Sequence, residues 1–186
     1  NTSDDLQEYH GRIRTNYAWN PHDIFFSQYA YAATKYDDTS QENSAIHDLT
    51  LGWNHDFNRR LRGTLSGGPS FLVPENGSTE TGYNAYAGLI WQFRNATLTW
   101  NTSYAYEFDN FDGSRTGLTK TWSNSIDYNY RFSSYLDMNL SGGYDKSDQE
   151  DEQGRPSLNN NDRFNTTEET YDLGLAVRYN FLRWYT

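Results

Sequence analysis

A twelve-residue unit is written twice with identical spacing, as Phe57-Asn-Arg-Arg-Leu61-Arg-Gly-Thr-Leu65-Ser-Gly-Gly68 and as Phe132-Ser-Ser-Tyr-Leu136-Asp-Met-Asn-Leu140-Ser-Gly-Gly143. In each copy an aromatic residue closes one segment, polar residues turn the chain, and apolar and polar residues then alternate with a period of two. That period belongs to a strand and not to a helix. A looser copy starts at Phe93-Arg-Asn-Ala-Thr-Leu98. The three phenylalanines are 36 and 39 residues apart, room for two long strands with one short and one long connection. Such strands exceed the ~5–6 residues usual in soluble sheets.

Composition narrows the choice of solvent for these strands. Mean hydropathy is −0.97, yet 17% of the 186 residues are aromatic, with 16 Tyr, 10 Phe and 6 Trp. A soluble β-domain hides its aromatics in a core, whereas a membrane barrel turns an apolar belt to lipid and a polar face to its lumen. No stretch approaches the ~20 apolar residues of a spanning helix, which excludes a helical membrane protein and leaves a barrel open. The chain has no cysteine, so disulfide scaffolds and cysteine metal sites are excluded. No signal peptide is visible at Asn1, so an exported chain is expected here in mature or shortened form.

Nine strands are expected, over 7–19, 24–37, 45–57, 61–73, 81–94, 96–108, 118–132, 136–147 and 169–182. An eight-stranded count is the alternative. Tight connections at Asn20–Asp23, Asn58–Arg60, Arg94–Asn95 and Ser133–Tyr135 alternate with longer ones at 38–44, 74–80, 109–117 and 148–168, which are rich in Asp, Glu, Asn, Ser, Thr and Gly. Short turns on one side and long polar loops on the other are the asymmetry of outer-membrane barrels. No second domain or linker interrupts 1–186.

Alternation also assigns faces. In the last strand Tyr171, Leu173, Leu175, Val177 and Tyr179 oppose Asp172, Gly174, Ala176, Arg178 and Asn180. Extended to every strand, this rule places Arg12, Arg14, Asp48, Asp56, Arg62, Asp127, Arg131, Asp137, Asp172 and Arg178 on the inward, polar face. They are expected to line a lumen as mixed charges paired across neighbouring strands. Trp19, Trp53, Phe57, Trp91, Phe93, Tyr130, Phe132, Tyr179 and Phe181 gather beside the short turns and are expected to form a membrane girdle, where amphipathic rings sit at headgroup depth.

With its Phe-x3-Leu-x3-Leu-Ser-Gly-Gly units and its two sets of end aromatics, the chain resembles the porin-like outer-membrane β-barrels of Gram-negative bacteria. The resemblance is architectural and covers essentially the whole chain. It implies an all-β, antiparallel, up-and-down transmembrane barrel in the bacterial outer membrane. One departure is the odd strand number, since bacterial barrels usually hold an even one. Val177-Arg-Tyr-Asn-Phe181 parallels Tyr128-Asn-Tyr-Arg-Phe132, after which a further strand would be due. The expectation is therefore a segment of a larger barrel, incomplete at its C-terminal side.

A net charge of −10 argues against nucleic acid, whose phosphates call for a basic footprint. His10, His22, His47 and His55 lack ligand spacing, and no metal or cofactor is expected. No nucleophile, base and acid combine in a recognisable pattern, so the chain is read as a non-enzyme. The favoured function is a channel for ions or small hydrophilic solutes. A sheath around a partner protein is the first alternative, and a soluble secreted β-sandwich binding module the second. Expected partners are outer-membrane lipid and either further copies or a partner protein.

Overall fold

The computed structural model describes residues 6–36, 43–75, 78–111, 114–150 and 166–180. They form nine strands: β1 (Leu6–Asn20), β2 (Asp23–Tyr36), β3 (Ser44–Asn58), β4 (Leu61–Pro74), β5 (Glu80–Gln92), β6 (Ala96–Phe111), β7 (Ser114–Arg131), β8 (Leu136–Glu150) and β9 (Thr166–Tyr179). Each strand pairs antiparallel with its neighbours in sequence, and together they make one sheet in the order β1 to β9. The sheet is open, because β1 and β9 do not pair with one another among the described residues.

Local chemistry explains the tight turns. The side-chain oxygen of Asn20 accepts hydrogen bonds from the backbone N–H groups of His22 (2.7 Å) and Asp23 (2.9 Å). Asn58 does the same for Arg60 (2.8 Å) and Leu61 (3.0 Å), and the Ser133 hydroxyl accepts one from Tyr135 (3.1 Å). These polar side chains satisfy backbone donors that a two-strand reversal exposes, which is why Asn and Ser sit there.

Register places the faces without ambiguity. Ala18, Ile24, Asn54, Thr64, Gly88, Asn101, Ser125, Gly143 and Asp172 follow one another across all nine strands as direct partners, and so lie on one face. Tyr17, Phe25, Trp53, Leu65, Ala87, Thr102, Asn124, Tyr144 and Tyr171 do likewise on the other. The first face is polar and the second apolar. The sheet does not bury its apolar face on itself: Ile13 is 69% exposed, Leu175 68% and Leu173 84%, while the buried apolar side chains are Phe26, Ala33 and Leu72.

The structure corrects several strand limits. β6 and β7 reach Phe111 and Ser114, so the expected loop over 109–117 shrinks to two residues. Their ladder continues through an irregularity between Asp109 and Asn110, because polar alternating strands in water still satisfy their backbone groups by pairing. β8 runs on to Glu150 and β9 begins at Thr166. The last strand ends at Tyr179, short of the expected 182. Residues 181–186, including Phe181, and the acidic run 151–165 lie outside the described residues.

Candidate functional site

All ten residues expected to line a lumen stand on the polar face. Asp56 pairs with Arg62, Arg131 with Asp137 and Asp137 with Arg178 in register, Arg12 and Asp48 flank Ala30, and Asp172 lies opposite Gly143. The structure brings four of them together as ion pairs at the short-turn end. Arg62 grips Asp56 with Nε at 2.6 Å and a second nitrogen at 3.4 Å, and Arg131 Nε lies 3.4 Å from Asp137. Both pairs are largely exposed to solvent, which screens them, so each serves chiefly to set side-chain direction.

Further up, the same face carries carboxylates without such partners. Asp127, Asp145 and Asp172 border a polar groove of about 220 Å³ with Ser103, Ser125 and Ser141. None of these three aspartates makes an ion pair among the described residues. Asp145 was missed by sequence reasoning, although its position two residues beyond Gly143 places it on the same face. Glycine makes the room: a Cβ at Gly143 would collide with the Asp172 carboxylate, and one at Gly174 would come within 2.5 Å of the Ser141 hydroxyl. Nearer the short turns a wider groove of about 1050 Å³ opens between β6 and β9.

Larger side chains also occupy the polar face. Tyr86 folds over Gly88 and donates to the Asn101 side chain at 2.7 Å. Phe26 covers Gly52, and the Arg14 guanidinium lies 3.9 Å from the Phe26 ring centre. Cross-strand amide bonds, such as Asn139 to Asn129 at 2.9 Å, complete the surface.

The apolar face holds two aromatic layers. Eight of the nine expected girdle residues lie at the short-turn end of this face. Trp91 stacks on Phe93 at 4.8 Å, Tyr130 meets Phe132 edge-on at 4.6 Å, Phe25 stacks on Trp53 at 6.4 Å and Tyr17 meets Trp19 at 6.3 Å. Phe57 covers Gly63, and Tyr179 is the direct partner of Leu136. In the turn beneath this layer Asp23 accepts bonds from the Trp53 indole (2.7 Å), the Asn20 amide (2.6 Å) and His55 (2.6 Å). Toward the long loops Tyr83 stacks with Tyr104 at 5.4 Å and meets Tyr106 at a tilt, 4.9 Å away, and Tyr144 packs against Trp122 and Tyr171.

Between these layers the apolar face carries no Asp, Glu, Lys or Arg among the described residues. On β7 that interval runs from Tyr130 to Trp122 and is lined by Tyr128, Ile126 and Asn124. Eight steps of ~3.4 Å tilted by about 40° rise about 21 Å, close to the ~25 Å apolar band of outer-membrane barrels.

No family model matches the chain, and no curated protein matches it in sequence. Among solved structures it is similar to the FrpB iron transporter from Neisseria meningitidis, with a TM-score of 0.65 and 13% identity over 94% of this chain and 33% of that one. It also aligns with the NanC porin, at a TM-score of 0.39 and 10% identity over 95% and 98% of the two chains. The chain thus spans about a third of the length of the FrpB chain. The FrpB likeness shows the fold: an all-β, antiparallel, up-and-down wall of the outer-membrane barrel type.

Proposed function

We propose that these nine strands form part of the wall of a barrel in the bacterial outer membrane, and that their polar face lines a channel for ions or small hydrophilic solutes. The observation that carries this reading is the separation of charge between the faces. The strand arginines 12, 14, 62, 131 and 178 and the aspartates 48, 56, 127, 137, 145 and 172 all share the polar face, while the opposite face is free of charge across a membrane-sized band. A soluble sheet needs no such band, and lipid requires one. The open edges and the match to a third of a longer barrel chain support a segment of a larger ring. FrpB is a transporter of iron by name; its fold supports a transport role for this wall, and the unpaired aspartates favour cations as the solute.

Single-channel recording of the detergent-extracted native protein in a planar bilayer tests the proposal. Discrete steps with cation preference under a salt gradient are expected. Silence from folded, inserted protein would overturn the open channel in favour of a lumen filled by a partner. Extraction into buffer without detergent would sink the membrane assignment.

A further inference from the structure

The chain contains three lysines and twelve arginines. Arg12, Arg14, Arg62, Arg131 and Arg178 stand on the polar face, whereas Lys35, Lys120 and Lys146 all stand on the apolar one: Lys35 is the partner of Gln7, Lys120 of Tyr106 and Lys146 of Trp122. The lysines also share a level. Lys35 is twelve residues beyond Asp23 at the short-turn end of β2, Lys120 eleven before Arg131 at that end of β7, and Lys146 ten beyond Leu136 at that end of β8. That level is the upper tyrosine layer. The Lys35 and Lys120 ammonium groups lie 5.8 and 5.7 Å from the ring centres of Tyr9 and Tyr106.

We propose that Lys35 and the Lys120–Lys146 pair bind anionic headgroup phosphates in the leaflet at the long-loop end. This rests on the membrane-wall reading. A lysine at the upper edge of a lipid-facing band lays its aliphatic stem along apolar neighbours and lifts a compact, triply donating charge to headgroup depth. Arginine would supply a planar fork, as Arg62 and Arg131 do toward Asp56 and Asp137 on the polar face. Asp148 and Glu169 occupy the same level: Asp148 lies 3.7 Å from Lys146 and is the register partner of Lys120, and Glu169 is opposite Lys146 and accepts from Tyr171 at 3.2 Å. Asp148 holds the Lys146 ammonium group from one side, and an ammonium group carries three donors.

The intact protein is folded into vesicles of phosphatidylcholine alone or with about a third phosphatidylglycerol, and protection of its tryptophans from acrylamide is used to establish insertion. Reductive methylation is then followed at each lysine by peptide mass spectrometry. Rates at all three should fall severalfold in the anionic vesicles and recover in high salt. In micelles, affinity for phosphatidylglycerol should fall about fivefold for each lysine removed in Lys35→Gln, Lys120→Gln and Lys146→Gln. Unchanged methylation rates in properly inserted protein would overturn the proposal alone. Equal slowing by dissolved inorganic phosphate over neutral vesicles would overturn lipid as the source. Failure to insert would overturn the wall reading and this one with it.

Discussion

Gly52 decides how the polar face is filled between β1 and β3. Phe26 stands opposite it in register, and a Cβ on Gly52 would overlap the Phe26 ring. Phe26 in turn lies beneath the Arg14 guanidinium, so three strands are tied through one residue that lacks a side chain. Gly52→Ala should therefore destabilise the folded protein by about 1–3 kcal/mol through overpacking, measured by urea unfolding, and in a Phe26→Ala background the same change should cost much less. Alternation along the sequence places Phe26 and Gly52 on their faces but says nothing of their meeting, because a neighbour across strands is set by register, and register depends on turn length. The repeated Ser-Gly-Gly shows the same boundary. Its glycines were legible as strand interior, yet only the paired sheet reveals that Gly68 admits the Leu49 carbonyl where Gly143 admits the Asp172 carboxylate.

At the scale of the element, β7 shows how one strand serves two solvents. Ile126 is 48% exposed on the apolar face, five residues from the short-turn end, and its neighbour Ser125 faces the polar groove. Ile126→Arg should destabilise the protein in lipid by about 2–4 kcal/mol, whereas Ser125→Arg should leave stability within about 0.5 kcal/mol; unfolding titrations in vesicles compare the two. All nine strands and the tight turns were legible, since period-two alternation and Asn- or Ser-capped reversals are local properties. Strand limits at the long-loop end were not. There the face contrast that marks a strand fades, and pairing in water continues on backbone hydrogen bonds to which any polar residue contributes. The candidate site was read to the same depth: the ten charges were assigned to their face from alternation, while the meeting of Arg62 with Asp56 and the isolation of Asp127 and Asp172 appear only once the strands are in register.

For the molecule as a whole, the distribution of charge over the polar face sets what a channel would admit. Its arginine–aspartate pairs lie at the short-turn end, and the aspartates without an ion pair among the described residues lie above them on β7, β8 and β9. Asp127→Asn combined with Asp172→Asn should reduce cation preference with little change in conductance step size, read as a shift of reversal potential toward zero in a salt gradient. A final consequence comes from strand direction. β1 and β9 both run toward the short turns, so joining them directly would create a parallel seam in an otherwise antiparallel wall. Antiparallel closure around these nine strands requires an odd number of intervening ones. Two inverted copies would restore the parity but would turn the long loops of one copy to the opposite side of the membrane. Parity together with long loops kept on one side of the membrane would therefore call for an odd number of further strands in this wall's own orientation.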